Sequence, residues 1–388
     1  MNEPRLRFKA DDGSQFPDWE EKKFANLYRK NVEKNVNLKF DSSKTISIAS
    51  MQFNEKGNGA SEDSLSSYKV LRLGDIAFEG HENKEYSHGR FVLNDIGDGI
   101  MSPRFSCMRP VCTQVDGFWK YYIHSERVMR NILVRSTKKG TMMHELVIPD
   151  FLKQSIMVPS LPEQQKIADF LSTIDTVIEK QRETVSVWEE RKKGVMQKLF
   201  SQEVRFKAND GSDFPEWEEK KLGAVCEYRK GQSVGVNYVG TENMNQNFSG
   251  VDSLDSTNKV KGVTYCVGDT LMSNIRPYLK KTWKADRNGV CSTDVLVFRP
   301  VNVDGDFLYY NISSEKFVLY VMTGVKGSKM PRGDKGHIME YDMPIPCLAE
   351  QQKIADCLSS LDEVIEKQKA TLAAWKELKK GLLQQMFV

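Results

Sequence analysis

The chain has 388 residues, 28% of them charged, and a formal net charge of only +3, so any strongly basic surface must be local. Its length exceeds that of one ordinary domain. No apolar run approaches the roughly 18 residues of a membrane helix, and the first residues lack a signal-peptide pattern. We therefore expect a cytoplasmic protein without a membrane partner.

The first predicted element is a charged block, residues 7–23, that returns almost unchanged later in the chain. Residues 205–221 repeat it with 14 of 17 positions identical, at an offset of 198. A second block, residues 163–181, returns at 350–368 with 15 of 19 positions identical, at an offset of 187. Because the two offsets differ, the segments between the blocks differ in length. The chain therefore contains two copies of one framework around two different inserts.

The first insert contains short runs, such as residues 69–73 and 75–78, that predict strands separated by Gly, Asn and Asp turns. A few landmarks return in the second insert. They are Gly74-Asp75 with Gly268-Asp269, Arg109-Pro110-Val111 with Arg299-Pro300-Val301, and Asp116-Gly117 and Tyr121-Tyr122 with Asp304-Gly305 and Tyr309-Tyr310. We expect each insert to be a mixed α+β domain with a strand-rich core.

A long helix follows each insert. Residues 163–200 contain no proline and one glycine, which predicts a helix roughly 57 Å long. Steps of four and three residues mark a heptad seam. Its positions include Ile167, Leu171, Ile174, Ile178, Gln181 and Trp188 in the first helix, and Ile354, Leu358, Leu361, Ile365, Gln368 and Trp375 in the second. Such seams favour two helices that pack on each other as a coiled coil.

The middle of each seam indicates how the helices run. Gln181 and Gln368 occupy equivalent central positions, so an antiparallel, pseudo-twofold arrangement would place the two amides side by side. A solvated part of the seam is the alternative explanation for these glutamines.

Basic side chains gather in the loops of both inserts. The second insert offers Arg276, Tyr278, Lys280, Lys281, Lys284, Arg332 and Lys335, and the first offers Arg90, Arg104, Arg135, Lys138 and Lys139. Cations with nearby aromatic rings suit phosphate contact and base recognition, so these residues are the predicted DNA-binding set. For any single run, a solvated charged surface is the alternative.

No catalytic or metal-binding pattern accompanies these loops. The seven cysteines form no CxxC pair, and the five histidines show no HExxH spacing. The chain has neither a GxxxxGK[ST] loop nor an Asn-Pro dipeptide, and the latter excludes the Asn-Pro-Pro-aromatic motif of amino methyltransferases. We therefore expect a protein that is not an enzyme and that binds no metal or cofactor itself.

The start of each long helix carries a resemblance to a known family. Residues 161–172 and 348–359 both read L-x-E-Q-Q-K-I-A-D-x-L-S, and the charged blocks around Trp19 and Trp217 precede the two inserts. With these motifs the whole chain resembles the specificity subunit of type I restriction-modification enzymes. The resemblance implies target-recognition domains at residues 1–160 and 201–347, separated by an antiparallel coiled coil of helices at residues 161–200 and 348–388.

The resemblance also implies a function. Each domain would bind one half of an asymmetric bipartite site in double-stranded DNA, while the helices would set the spacing and dock two methylation subunits. Those subunits would bring S-adenosylmethionine, and restriction subunits would bring ATP-driven cleavage. The alternatives are a coiled-coil adaptor without DNA binding, the recognition module of another restriction system, and a nuclease, for which no cluster of carboxylates and lysines is found.

Overall fold

A computed structural model describes residues 4–54 and 61–387 and divides the chain into two compact units. Unit 1 consists of the described residues up to Arg182 together with those from Thr371 onward, and unit 2 is Glu183–Ala370. No helix in these described ranges is long and apolar enough to cross a membrane.

The first half of the chain forms twelve strands and four α-helices within the described ranges. They are β1 (Glu20–Lys23), β2 (Tyr28–Lys30), β3 (Ile46–Ser47), β4 (Gln52–Phe53), β5 (Lys69–Leu71), β6 (Ile76–Glu79), β7 (Arg90–Leu93), β8 (Gly99–Met101), β9 (Ser106–Pro110), α1 (Asp116–Tyr122), α2 (Glu126–Ser136), β10 (Thr137–Lys139), β11 (His144–Leu146), α3 (Ile148–Lys153), β12 (Ser155–Val158) and α4 (Leu161–Phe200).

Unit 1 is built on an antiparallel four-stranded sheet in the order β2-β9-β6-β7. Smaller antiparallel pairs join β1 to β12, β5 to β8 and β10 to β11. All four side chains of β6 are buried, as expected for a central strand covered on both faces. The core is aromatic, and its fully buried members include Phe24, Phe118, Trp119, Tyr122 and Phe151.

The second half of the chain forms eleven strands and five α-helices within the described ranges. Its elements are β13 (Glu218–Lys221), α5 (Leu222–Val225), β14 (Cys226–Tyr228), β15 (Gln232–Gly235), β16 (Val260–Tyr265), β17 (Thr270–Ser273), β18 (Thr282–Lys284), β19 (Gly289–Cys291), β20 (Val295–Pro300), α6 (Gly305–Ile312), α7 (Glu315–Thr323), β21 (Val325–Lys326), β22 (Arg332–Gly333), α8 (Lys335–Met339), β23 (Asp342–Ile345) and α9 (Leu348–Met386).

The main sheet of unit 2 has the same strand order as that of unit 1. This four-stranded sheet runs β14-β20-β17-β18, and β13 pairs with β23 as β1 pairs with β12. Strand β15 extends the β16-β19 pair to three strands, whereas the corresponding β5-β8 sheet of unit 1 has two. The predicted α+β class, with one fold occurring twice, is confirmed.

The long helices pack against each other in opposite directions within each unit. In unit 2, Lys192 of α4 pairs with Asp362 of α9 at 2.6 Å, and Glu189 of α4 pairs with Lys369 of α9 at 3.0 Å. Residue numbers thus increase along one helix as they decrease along the other, so the two helices are antiparallel. In unit 1, the first turns of α4 meet the last turns of α9 in the hydrophobic core. The predicted long antiparallel helices are therefore confirmed, whereas the pairing of Gln181 with Gln368 would join one unit to the other and stays a prediction.

The predicted seam changes its role along each helix. Ile167 and Leu171 belong to the aromatic core of unit 1, and Ile354 and Leu358 belong to the core of unit 2. Further along, Ile174, Ile178 and Ile365 are buried, while Gln181, Trp188, Leu361, Gln368 and Trp375 are half-buried. The first turns of each helix therefore anchor a domain, and only the later turns act as a coiled-coil seam.

One predicted correspondence between the inserts is wrong by one residue. The sequence alignment matched Tyr121 with Tyr309, but Tyr310 occupies the place of Tyr121 in the structure. The shift arises at the helix start. Asp304 caps α6 from outside by accepting two backbone N–H groups, whereas Asp116 is already the first residue of α1.

Candidate nucleic-acid interfaces

A buried ion pair fastens each repeated charged block to its long helix. Arg7 contacts the carboxylate of Glu163 at 2.9 and 3.0 Å, and Arg205 contacts Glu350 at 2.9 and 3.2 Å. Both glutamate side chains are completely buried. Two-point arginine–carboxylate contacts of this kind fix orientation as well as distance. The two blocks repeat in sequence because they form the same structural joint.

The neighbouring glutamine ties the helix start to the insert. Gln164 accepts the backbone N–H of Val115, just before α1, at 3.2 Å and donates to the carbonyl of Pro159 at 2.9 Å. Gln351 does the same in unit 2, with the N–H of Asp304 at 2.8 Å and the carbonyl of Pro346 at 2.8 Å. A single amide thus satisfies one donor and one acceptor that would otherwise be buried without partners.

The Gly-Asp and Arg-Pro landmarks meet in one contact. Asp75 lies 2.9 Å from both Nε and Nη2 of Arg109, and Asp269 lies 2.9 and 3.0 Å from the same atoms of Arg299. In unit 1 the network continues to Glu33, whose pKa is lowered by hydrogen bonds from the guanidinium groups of Arg72 and Arg109. Together with the two preceding contacts, this pair forms the framework that both units share.

Beyond the framework, unit 2 presents an exposed edge. The loop that follows β17 lies against the β21-β22 hairpin, since the N–H of Arg276 donates to the carbonyl of Pro331 at 2.8 Å and the N–H of Gly333 to that of Asn274 at 3.3 Å. We call residues 274–281 and 325–335 edge 2. Among the predicted DNA-binding residues it brings together Arg276, Tyr278, Lys280, Lys281, Arg332 and Lys335.

The backbone of edge 2 is strained where it presents an aromatic ring. Arg276 and Lys280 have φ values of 51° and 56°, in the left-handed region that side chains disfavour. They flank the short 3₁₀ turn Pro277–Leu279, whose central Tyr278 is 47% exposed. Lys280 is held by Glu315 at 2.6 Å. Strain of this kind persists only where the surroundings determine the conformation, and it is typical of binding sites.

Unit 1 has an equivalent edge with different chemistry. Here the loop after β6 lies against the β10-β11 hairpin, and the N–H of His144 donates to the carbonyl of Gly80 at 2.8 Å. A Cβ on Gly80 would lie 1.9 Å from the carbonyl oxygen of His144, so only glycine allows this contact. We call residues 80–90 and 135–146 edge 1. It brings together Arg90, Arg135, Lys138 and Lys139.

Arg104 lies outside edge 1. It occupies the turn before β9, and its guanidinium covers the ring of Phe105 at 4.6 Å. Phe105 belongs to a small hydrophobic cluster that also includes Met143 of the hairpin. Arg104 is therefore connected to the hairpin of edge 1 through this cluster.

Edge 1 also contains polar residues that sequence reasoning missed. His144 Nε2 lies 2.6 Å from a carboxylate oxygen of Glu82, and the rings of His88 and His144 are 5.1 Å apart. Glu82 and His144 are 62 positions apart in the chain, so no local spacing could reveal them. In the described ranges no group of histidine, cysteine, aspartate or glutamate could hold a metal ion.

Lys284 does not belong to edge 2. Because β18 runs antiparallel to β17, it carries Lys284 back to Thr270, at the far end of the strand from Arg276. There its ammonium group pairs with Asp306 in the first turn of α6. The predicted basic run of residues 276–287 is therefore divided between the two ends of the sheet.

Ion pairs occupy part of the predicted cationic surface. Arg90 pairs with Glu79, Lys138 with Glu145, Lys280 with Glu315, Lys284 with Asp306 and Arg332 with Asp294, while Lys281 donates to the carbonyl of Thr241. Where the structure describes the chain, Arg104, Arg135, Lys139, Arg276 and Lys335 make no ion pair. These five cations can meet a phosphate without first giving up a carboxylate.

A comparison with the sequence profiles of known protein families shows to which family the chain belongs. Residues 100–185 and 215–374, more than half of the chain, match the sequence profile described as Type I restriction modification DNA specificity domain. The chain belongs to this family. The matched ranges contain the arginines of both Asp–Arg pairs, Arg109 and Arg299, as well as both helix starts with their EQQKIA motifs.

Curated relatives agree with the family assignment. The Type I restriction enzyme MjaVIII specificity subunit of Methanocaldococcus jannaschii is 27% identical over 271 residues, which cover 63% of this chain and 64% of the relative. The chain thus matches just under two thirds of that relative's length. A putative type I restriction enzyme MjaX specificity subunit of the same organism is 23% identical over 340 residues, covering 79% and 75% of the two chains.

Solved structures show the same fold. The crystal structure of the type I restriction-modification S subunit from M. genitalium aligns with a TM-score of 0.55 at 14% identity, covering 100% of this chain and 99% of that one. A chain from a study of complex assembly and conformational transition in a type I R-M system aligns with a TM-score of 0.55 at 18% identity, covering 96% and 98%.

Proposed function

We propose that this chain is the DNA-recognition subunit of a type I restriction-modification complex, and that each unit binds one half of an asymmetric bipartite site. The observation that carries the proposal is the contrast between framework and edges. The Asp–Arg pair of the framework recurs with nearly the same distances in both units, whereas the edges differ in most residues and in charge pattern and share only a Lys-Gly-Ser/Thr-x-Met turn. Two copies of one scaffold with different exposed edges suit two different half-sites.

The chemistry of the edges supports DNA as the ligand. Cations without an ion-pair partner, such as Lys139 and Arg276, are suited to phosphate oxygens, and these contacts give affinity that depends on salt. Base discrimination would come from the polar groups between them. In edge 1 the carboxylate of Glu82 can accept a hydrogen bond from the amino group of cytosine. In edge 2 Tyr278 offers a ring for contact with a base and a hydroxyl group for a hydrogen bond.

The long helices are proposed to set the spacing between the half-sites and to dock two methylation subunits. The buried seam residues are covered within their own units, so a partner would meet the outer faces of the helices. Val187 on α4 and Leu378 on α9 are 62% and 49% exposed among mostly charged neighbours. Exposed apolar side chains of this kind support protein docking. This chain would be non-catalytic, with S-adenosylmethionine and ATP bound by the methylation and restriction subunits.

The proposal is tested by producing the chain with the methylation subunits of its host and sequencing the methylated bases of the cellular DNA. We expect one asymmetric bipartite motif, methylated in both halves. Replacing the exposed residues of edge 2 should change only one half of that motif, while Lys153→Ala, which removes an exposed lysine that belongs to neither edge, should change neither. A complex that methylates no bipartite motif and shows no salt-dependent DNA binding would refute the proposal and favour a protein adaptor.

A further inference from the structure

In unit 1 a single carboxylate joins the recognition domain to both long helices. The hydroxyl of Tyr121, in α1, donates to Oδ2 of Asp175, in α4, at 2.5 Å. The ammonium group of Lys379, in α9, lies 2.5 Å from the other oxygen of the same carboxylate and 4.9 Å from the centre of the Tyr121 ring. The three side chains therefore contact one another in a closed triangle.

Unit 2 contains the same triangle with the helices exchanged. The hydroxyl of Tyr310, in α6, donates to Oδ2 of Asp362, in α9, at 2.8 Å. Lys192, in α4, lies 2.6 Å from Oδ1 of Asp362 and 5.1 Å from the centre of the Tyr310 ring. In both units Oδ2 of the aspartate accepts from the tyrosine hydroxyl, and Oδ1 accepts from the lysine ammonium group. We call these two triads the clamps.

The clamps are held in a partly buried environment. The Asp175 and Lys379 side chains are 34% and 22% exposed, and burial, together with the nearby Asp175, raises the pKa of Tyr121. The tyrosine hydroxyl therefore remains a proton donor across the physiological range. A hydrogen bond to a charged acceptor, shielded from water on one side, is stronger and more directional than one between neutral groups.

The position of the clamps in the sequence separates them from the recognition edges. Both tyrosines lie in inserts that otherwise diverge, and both aspartates lie in the strongly repeated helix blocks. Two inserts that differ in their exposed residues have kept the same contact to the helices. Apolar packing of α1 and α6 alone would hold the domains in place, but it is not directional. The hydrogen bonds of the clamp are directional, so they also fix the orientation of each domain on its helices.

We propose that Tyr121, Asp175, Lys379 and their counterparts Tyr310, Asp362 and Lys192 are positioning residues that determine the spacer length accepted between the two half-sites. The inference depends on the proposed DNA-recognition function. One additional base pair moves a half-site by about 3.4 Å and turns it by about 34°. A domain that follows such a change must rock on its helices, and rocking breaks the clamp.

The test uses the full complex with its methylation subunits and DNA duplexes that carry the native spacer or a spacer one base pair shorter or longer. The ratio of methylation rates, native over altered spacer, measures spacer selectivity. In the Tyr121→Phe, Tyr310→Phe double variant we expect this ratio to fall about tenfold, since a hydrogen bond to a charged group accounts for roughly that factor. The rate on the native spacer should change much less. The Lys379→Gln, Lys192→Gln variant should act in the same direction.

Tyr122→Phe is the matched control. It makes the same chemical change one position away, and the hydroxyl that it removes donates to the carbonyl of Met157 at 2.7 Å, inside the same domain. We expect it to lower the melting temperature while preserving spacer selectivity. The inference is overturned if the clamp variants keep the wild-type ratio, or if Tyr122→Phe lowers the ratio as much as they do. A wild-type complex that methylates no bipartite site would instead refute the proposed function.

Discussion

Removal of the arginine from the buried joint should destabilise unit 1 more than unit 2. Arg7→Met keeps the aliphatic stem but leaves the fully buried carboxylate of Glu163 without its cation. Breaking a buried ion pair in this way costs about 3 to 5 kcal/mol, because a charge then remains in a low-dielectric environment without a partner. Arg205→Met makes the same change in unit 2.

The two joints differ in one hydrogen bond to the buried glutamate, and that difference determines the size of the effect. Trp217 Nε1 donates to Glu350 at 3.0 Å and would remain after the loss of the arginine. The equivalent Trp19 Nε1 is buried without a hydrogen-bond partner in the described structure, so Glu163 would keep no such donor. Since a hydrogen bond to a charged group contributes about 1.5 to 3 kcal/mol, Arg205→Met should cost less than Arg7→Met by that amount.

Hydrogen exchange in the native state is the suitable assay, because a chain with two units need not unfold in a single transition. The amides of the β1-β12 pair report on unit 1, and those of the β13-β23 pair report on unit 2. Adding Glu163→Gln to Arg7→Met should restore much of the lost protection, because it removes the stranded charge. Equal losses in the two units, a greater loss in unit 2, or no recovery in the double variant would refute the reasoning.

Three further predictions concern a turn, a half-buried histidine and the proposed DNA contact. Gly74→Ala should lower the free energy of unfolding, measured by chemical denaturation, by about 1 to 2 kcal/mol. The reason is that φ at Gly74 is +83° and the new Cβ would lie 3.0 Å from a carboxylate oxygen of Asp116. Gly268→Ala should lower it less, because φ there is +86° but the new Cβ would enter open space. Burial lowers the pKa of His124 from 6.5, so the unfolded chain binds this proton more readily and stability should fall as the pH drops below about 6.5. His124→Gln should flatten that fall in denaturation curves recorded across this range, and an unchanged fall would contradict the assignment. Lys139→Ala should reduce the steepness with which the logarithm of DNA affinity falls against the logarithm of salt concentration by about 0.9. Lys138→Ala should reduce it less, because the ammonium group of Lys138 already has a carboxylate partner. Equal slopes for the two variants would count against phosphate contact by Lys139.

Local and repeated signals explain why much of the fold could be predicted from the sequence. The helix predicted from residue 163 to 200 is α4, Leu161–Phe200, and the strand predicted at residues 75–78 is β6, Ile76–Glu79. Heptad spacing and short alternating runs are properties of neighbouring residues, so they survive in a single sequence. The repeat also predicted which landmarks of the two inserts correspond. This correspondence was wrong at the start of α6, where Asp304 caps the helix from outside.

The edges were less predictable because distant segments build them. A basic run in the sequence indicates charge but not which carboxylates face it, and Arg90 and Lys280 turn out to be paired with Glu79 and Glu315. Strand reversal also separates residues that are close in sequence, as it does for Lys284. The partners of these side chains are set by tertiary contacts, which periodicity does not encode.

The way α4 and α9 are shared has a consequence for the order in which the chain can fold during synthesis. Unit 2 is one continuous stretch, Glu183–Ala370, whereas unit 1 needs the residues from Thr371 onward. Phe387 is fully buried there, 5.9 Å from the ring of Phe118 and 5.1 Å from that of Tyr122. The core of unit 1 therefore cannot close until the residues that follow unit 2 have been made, and unit 2, although translated later, is the first unit for which every part exists.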